Sequence, residues 1–436
     1  MTPNEFKRRR RQLMRIMGRG SIAIIPAAAL CTRNNDVHYP YRPDSDFYYL
    51  TGFGEPESVA VLIPGREQGE YILFCREKDP DKERWDGAIA GQEGAVAEYG
   101  ADDSFPIDDL DDILPRMLEQ CDKVYYAMGS NAELDQRMSS WISRIRGKAR
   151  SGVHPPQEFI ALDHFLHDMR LYKSRSEVAV LRRAAKISAA AHRELMQACR
   201  PGMKEYDLEG LFINACYRRG ARQQAYNPIV GGGDNATVLH YIDNDQPLEE
   251  GDLVLVDAGC ELEFYASDIT RTFPVGGRFS EPQRQLYQLV LDAQLAAIKQ
   301  VRPGNPYDAP HRAAVRTLTR GLVKLGLLKG QPAKLIKDEK YKKFFMHGTG
   351  HWLGMDVHDV GDYKIDGHWR ELEPGMVVTI EPGLYIPRGM KGVAKKWQGI
   401  GIRIEDDVLV TRDGHDILSK DAPKTIDEIE ALMAGD

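Results

Sequence analysis

Six cysteines in 436 residues are few, and they are scattered: Cys31, Cys75, Cys121, Cys199, Cys216 and Cys260 form no C-x-x-C pair. That spacing excludes a disulfide framework and a cysteine-based zinc site. Free thiols in a reducing compartment follow, so a cytoplasmic location is expected. No apolar run approaches the length of a membrane span. No basic excess exists either. The formal net charge is -7, which argues against nucleic acid as the main partner. The first 165 residues contain no glycine-rich phosphate loop after a strand and no nucleophile elbow. H-E-x-x-H is absent, so the chain is not a zincin. No short tandem repeat is present.

What is there fits an ordinary globular protein: 42% hydrophobic and 28% charged residues, with length for two or three domains. The basic run Lys7–Arg11 and the apolar Ser21–Leu30 could pass for a leader. The apolar part is short, interrupted by Pro26, and separated from the charges by Gly18-Arg-Gly20. A helix Asn4–Met17 running into a strand Ile22–Pro26 is the better reading.

Up to about residue 165 helix and strand alternate. Strands are expected at Phe47–Leu50, Val59–Leu62, Glu70–Cys75 and Lys123–Ala127, and a helix at Asp108–Cys121. Near Asp168 a long helical stretch opens, with Ser176 as its N-cap and Val178, Leu181, Ala185 and Ile187 on its apolar side. The domain boundary is placed there, giving an α/β domain over 1–170 and an α+β domain over 171–436. The second part carries helices at Tyr206–Arg219, Gln283–Val301, Pro310–Lys324 and Thr425–Met433.

The chemistry lies in Leu253–Val256, a buried-strand run that ends on Asp257, and in a second run that carries Asp268. If the chain folds back between Leu262 and Glu263, the two aspartates lie opposite each other, about 4.5–5.5 Å apart at Cβ. Two ionised carboxylates so close repel unless a cation lies between them. The bland alternative is a pair of strand-end aspartates facing water. Glu381 after Val-Val-Thr-Ile and Glu405 after Ile-Arg-Ile repeat the oddity on a second hairpin around residue 393, which hints at a duplicated plan. Four buried acids need about four positive charges nearby. Arg403 supplies one, and two divalent cations would supply the rest. Carboxylates with one imidazole suit Mn2+, and also Zn2+, Fe2+ or Co2+. Among the histidines, His347, His351 and His358 sit in a glycine-rich apolar segment, and His240 directly precedes the aspartate hairpin. His38, His154, His164, His167, His192, His311, His368 and His415 read as surface or core residues.

The order Asp257, Asp268, His351, Glu381, Glu405 resembles the pita-bread metallopeptidases, and most closely aminopeptidase P. The motifs are Asp-Ala-Gly-Cys, Asp-Ile-Thr-Arg-Thr-Phe-Pro-Val, His-Trp-Leu-Gly-Met-Asp-Val-His-Asp-Val-Gly, Glu-Pro-Gly-Leu-Tyr and Gly-Ile-Arg-Ile-Glu-Asp-Asp. Tyr39–Phe53 is similar to that group's first domain. The resemblance implies a pita-bread catalytic domain and removal of an N-terminal residue when proline stands second, by a hydroxide bridging two divalent metals, Mn2+ first with Zn2+ or Co2+ as alternatives. It implies that Asp257 binds one metal, Asp268 and Glu405 bridge, and His351 and Glu381 complete the second site. Glu381 would also move a proton. His358 and His240 would hold the substrate, His347 would line the proline pocket, and Arg403 would lie behind the acids. Asp36 is a candidate contact for the substrate amine, and Trp85 for a neighbouring subunit in a dimer or tetramer. Thr349-Gly350, between His347 and His351, bears on the pocket's shape. The rivals are a prolidase, a non-catalytic binding module, and incidental phosphotriester hydrolysis.

Overall fold

The computed structural model describes residues 1–435 and divides into two compact units, Met1–Met169 and Arg170–Asp436. No helix among the described residues is long and apolar enough to cross a membrane.

The first unit is built on a mixed six-stranded sheet. Its strands run in the order Asp103–Pro106, Tyr71–Cys75, Val59–Leu62, Ser21–Pro26, Lys123–Tyr125, Glu158–Ile160. Ile22, Ile24, Val61, Ile72 and Phe74 pack on Leu114 of the helix Leu110–Leu118 and on Trp141 and Ile145 of the helix Ala132–Arg146. The basic run lies in the helix Pro3–Met17, and two of its arginines are buried. Arg9 donates to the Tyr49 carbonyl at 3.0 Å and Arg10 to the Leu50 carbonyl at 2.8 Å. Those carbonyls end a short helix, Ser45–Thr51, where cations are favoured. This corrects the strand expected at Phe47–Leu50. The Asp44 carboxylate caps the Phe47 amide at 2.9 Å, and Gly52 ends the helix in the left-handed region. Local capping overrides the aromatic, strand-like composition.

The second unit repeats one plan. The helices Arg175–Ala198 and Glu205–Tyr217 precede a hairpin over 253–274. The helices Glu281–Ile298 and Ala309–Lys324 precede another over 377–411. The first long helix is capped by Ser174, not Ser176. Ser174 Oγ accepts from the Glu177 amide, and Glu177 reaches back to the Ser174 amide. The helix accordingly buries Val180, Leu181, Ala184, Ala185 and Ser188.

Each hairpin is interrupted at one level, and its register continues across the interruption. In the first, Leu253–Asp257 pairs with Thr270–Pro274, then Cys260–Leu262 with Tyr265–Ala266. In the second, Val377–Ile380 pairs with Asp406–Thr411, and Gly383–Ile386 with Ile400–Arg403. The turn of the first is Glu263-Phe264, both at positive φ (49° and 63°), as a two-residue hairpin turn requires. That turn sits one residue later than expected. Asp257 therefore faces Thr270 rather than Asp268, and Asp268 falls level with Gly259. A Cβ on Gly259 would come within 1.7 Å of the Ser267 carbonyl oxygen, so only glycine fits.

Beneath the segment that carries His351 and His358 lies a buried ion cluster. Asp359 takes Lys173 Nζ at 2.9 Å and Arg170 Nη2 at 2.7 Å, and Arg170 also reaches Asp356 at 2.6 Å. Burial would raise the Asp359 carboxyl, but Lys173 and Arg170 outweigh it and hold it below the ordinary carboxylate value. A depressed folded pKa gives stability that is complete above the ordinary value of 3.8. That stability is lost as pH falls through the folded value. Asp359→Asn is expected to lower unfolding free energy at pH 7 by about 3–5 kcal/mol, because the buried Lys173 and Arg170 lose the carboxylate charge they share. In urea titrations the gap to the parent should narrow below about pH 4. A gap that widens toward acid would contradict the account.

Candidate metal centre

The expected residues converge where the two hairpins are interrupted. Asp257 ends its strand, and Asp268, Glu381 and Glu405 lie in the breaks. The register that pairs Ile380 with Asp406 and Gly383 with Arg403 sets Glu381 level with Glu405. The cross-strand pair of acids is thus in the second hairpin. In the first, Asp257 and Asp268 are offset, and the Tyr226 hydroxyl joins them, 2.6 Å from each Oδ1. Asp257, Asp268 and Glu405 are buried, which rules out strand-end acids facing water. The Glu381 side chain is 18% exposed.

His351 comes from a segment that extends the second hairpin sideways. The Thr379 amide donates to the His351 carbonyl and the Glu381 amide to the Thr349 carbonyl, both at 2.9 Å. A Cβ on Gly350 would meet the Thr379 carbonyl oxygen at 1.9 Å, so glycine lets the two backbones touch. Thr349 Oγ1 lies 2.8 Å from His311 Nδ1, which fixes the other side of the wall. His351 Nδ1 sits 2.9 Å from the Trp352 carbonyl, leaving Nε2 3.3 Å from Asp268. A histidine held this way by its Nδ1–H presents Nε2 as a ligand.

Hydrogen bonds and close polar contacts run around the site as a ring. Arg403 Nη2 donates to Asp257 Oδ2 at 2.5 Å, and Nη1 to Tyr385 Oη at 3.1 Å. Tyr385 Oη is 2.8 Å from His347 Nε2, and His347 Nδ1 is 3.7 Å from Glu381. His351 Nε2 lies 3.9 Å from Glu381, and Asp268 and Tyr226 complete the circuit. Inside it, Thr270 Oγ1 donates to Glu405 Oε2 at 2.6 Å. Behind it, Asp407 accepts the Asp268 amide at 3.2 Å. His240, His347, His351, His358, Arg403 and the four acids line one cavity of about 390 Å³, with Ile229, Leu239, Ile242 and Val357 as its apolar part. The His351 and His358 rings are 4.3 Å apart. Asp36 lies in the exposed turn between the strands Thr32–Asn34 and Val37–His38, and Trp85 is 89% exposed; both belong to the first unit.

The charges do not balance. Burial, then Asp268 and Glu381, push Glu405 well above the ordinary range. Burial raises Glu381 to about 7 against the pull of His351 and Arg403. Burial would lower His351, but Asp268 raises it to about 9. Burial, with Arg403 beside it, drives His347 down to about 3. One hydroxyl proton on Tyr226 also faces two carboxylate oxygens. Ligand atoms of Asp268, His351 and Glu405 lie within 4.8 Å of one another. This donor set and its surplus negative charge fit a divalent cation.

The fold and this site define a metal-dependent hydrolase. Residues 179–412 match the model of metallopeptidase family M24, and residues 6–125 match that of the aminopeptidase P N-terminal domain. The chain belongs to metallopeptidase family M24. It is similar to Xaa-Pro aminopeptidase of Escherichia coli (46% identity, covering 98% of this chain and 97% of the relative). It is similar also to Xaa-Pro aminopeptidase 3 of Homo sapiens (35% identity, 99% and 86%). Among solved structures, aminopeptidase PepP of Pseudomonas aeruginosa superimposes with a TM-score of 0.99 at 57% identity, over 100% of this chain and 98% of that one. A zinc-substituted E. coli aminopeptidase P with product does so with 0.97 at 45%, over 100% and 99%. These matches bear out the aminopeptidase P resemblance, the pita-bread fold class and the reading of the chain as a divalent-metal peptidase.

Sequence reasoning missed Tyr226, Thr270, Tyr385 and Asp407. Tyr226, Thr270 and Tyr385 bring no formal charge into an apolar run, Asp407 is the last of three consecutive acids, and only folding brings all four to the site. Tyr226→Phe is expected to raise the dissociation constant for a divalent ion about 10- to 100-fold, since it releases two ligands from one anchor. Competition with a fluorescent chelator measures this, and an unchanged constant would remove Tyr226 from the ligand scaffold.

Proposed function

We propose that the chain releases the N-terminal residue from peptides with proline in second position, using two divalent cations, Mn2+ before Zn2+ or Co2+. The convergence of Asp257, Asp268, His351, Glu381 and Glu405 with His240, His347, His358 and Arg403 on one cavity carries this reading. In it, Asp257, Asp268, His351, Glu381 and Glu405 would hold the ions. Bound there, the ions would supply Lewis acidity, making a water more acidic and polarising the scissile carbonyl.

The chain's own residues do the rest. Glu381 moves the proton of the attacking water. His358 and His240, both on the exposed rim, hold the substrate and its developing charge. His347, neutral at physiological pH and oriented by Tyr385, walls the proline pocket. Arg403 neutralises Asp257 and keeps its Oδ2 in place. A bond to proline has no N–H, and none of these groups needs one. Peptides are therefore the partners.

Asp36 is the candidate contact for the substrate amine, and the 89% exposure of Trp85 supports a contact with a neighbouring subunit in a dimer or tetramer. Six free cysteines support a reducing, cytoplasmic setting.

The test is chelation followed by return of Mn2+, Zn2+ or Co2+, with release of the first residue from Ala-Pro-Ala as readout and Asp268→Ala alongside. Activity should return with metal in the parent and stay at background in the variant. Cleavage of Ala-Pro without the tripeptide would make the chain a prolidase. No cleavage with any ion by the folded protein would favour the binding module.

A further inference from the structure

Glu205 is fully buried (0% exposed) and touches none of the residues described at the metal centre. It opens the helix Glu205–Tyr217. Its Oε1 accepts from the Gly232 amide at 2.7 Å and from Asn235 Nδ2 at 3.0 Å. Its Oε2 accepts from Tyr241 Oη at 2.8 Å and from the Gln246 amide at 2.9 Å. Its own amide donates to the Gln246 carbonyl at 3.0 Å. A carboxylate has about four acceptor positions, and here all are taken by donors from one segment.

That segment is a loop whose two ends, Gly232 and Gln246, meet on the same side chain. It is an Ω-loop closed by a buried acid. A second staple lies beside the first. The Asn244 side chain accepts the Val230 amide at 2.9 Å and donates to the Pro228 carbonyl at 2.9 Å and to Glu209 at 3.0 Å. Leu239 and Tyr241 pack against Ile229, Leu255 and Tyr385. The loop's tip, by contrast, is open: Val238, His240 and Ile242 are exposed. Of these, His240 and Ile242 line the catalytic cavity.

We infer that Glu205 is a positioning residue for the reaction, which holds the loop from Gly232 to Gln246 in the shape that presents His240 to the cavity. This rests on the role proposed above for His240. A carboxylate is required because four donors converge on it. In Glu205→Gln the amide NH2 would face two of those donors. Hydrogen bonds to charged groups are the strong ones, so one acid can set a loop with no regular secondary structure beyond the turn at Gly233–Thr237.

The milder test is Tyr241→Phe, which removes one donor and keeps the ring. Glu205→Gln is the stronger variant. Amide hydrogen exchange over 233–245 should rise about tenfold in Tyr241→Phe, with the strand Leu253–Asp257 unchanged. The kcat/KM for Ala-Pro-Ala should fall about tenfold, through kcat. In a His240→Ala background the same change should cost less than about twofold, because residues acting through one another are not additive. Unchanged exchange would overturn the clamp. Equal losses in both backgrounds would reduce Glu205 to a structural residue. A His240→Ala enzyme as active as the parent would instead overturn the role of His240, a separate failure that leaves the exchange result to decide the clamp.

Discussion

Four carboxylates share a small space among apolar strands, and the rest of the second unit answers their mutual repulsion. Two like charges 4 Å apart at an effective dielectric near 20 cost about 4 kcal/mol. A domain has only about 5–15 kcal/mol in total. Three of the four have a close partner: Asp257 has Arg403, Asp268 has His351 and the Tyr226 hydroxyl, and Glu405 has the Thr270 hydroxyl. What the protein leaves uncompensated is the part a divalent cation fits. Cation binding and folded-state stability are therefore linked, since whatever binds only the folded chain stabilises it.

The backbone delivers the acids by breaking its own ladders. Directly opposite residues of a hairpin share a face, so the continuous register already carries Glu381 and Glu405 to one side, and Asp257 and Asp268 to one side of the other hairpin. Here both hairpins lose their pairing at one level and resume it in the same register. The interruption frees the residues within it to turn toward a common centre. Close backbone approach at the same level explains the glycines. A Cβ on Gly401 would meet the Ala236 carbonyl oxygen at 2.0 Å, which seats the Gly232–Gln246 loop directly against the strand that carries Arg403. Gly259 and Gly350 do the same for the other two segments.

This explains what the sequence shows and what it conceals. An acid ending an apolar run is visible because burial makes it costly, so Asp257, Asp268, Glu381 and Glu405 stood out before folding was considered. The second hairpin's register was legible as well. The first was displaced by one residue because its turn uses Glu263 and Phe264 at positive φ, with no glycine to mark it. Ser174 and Ser176 are equivalent cap candidates in sequence, and the reciprocal bond with Glu177 selects Ser174. Tyr226 and Glu205 were invisible for a deeper reason. A tyrosine in a loop and an acid in the first turn of a helix are ordinary in sequence, and their partners lie on other elements.

The duplicated plan also shows why the site cannot be symmetric. Each half offers a long helix and a broken hairpin with two acids, aspartates in the first and glutamates in the second. Two equal halves would present two equal faces, yet the end of a peptide is polar, with a charged amine on one side of the scissile carbonyl and a proline ring on the other. The additions that break the symmetry fall on different sides. Arg403 reaches across from the second hairpin to Asp257, and the backbone on either side of His351 is bonded to the second hairpin at Thr379 and Glu381. The Asp257 side is thereby a carboxylate backed by a guanidinium, and the Asp268–Glu381 side gains an imidazole. Ligand chemistry differs between them, so two cations held there would differ in affinity and in exposure to the substrate amine. Duplication builds the frame, and the unpaired additions give it direction.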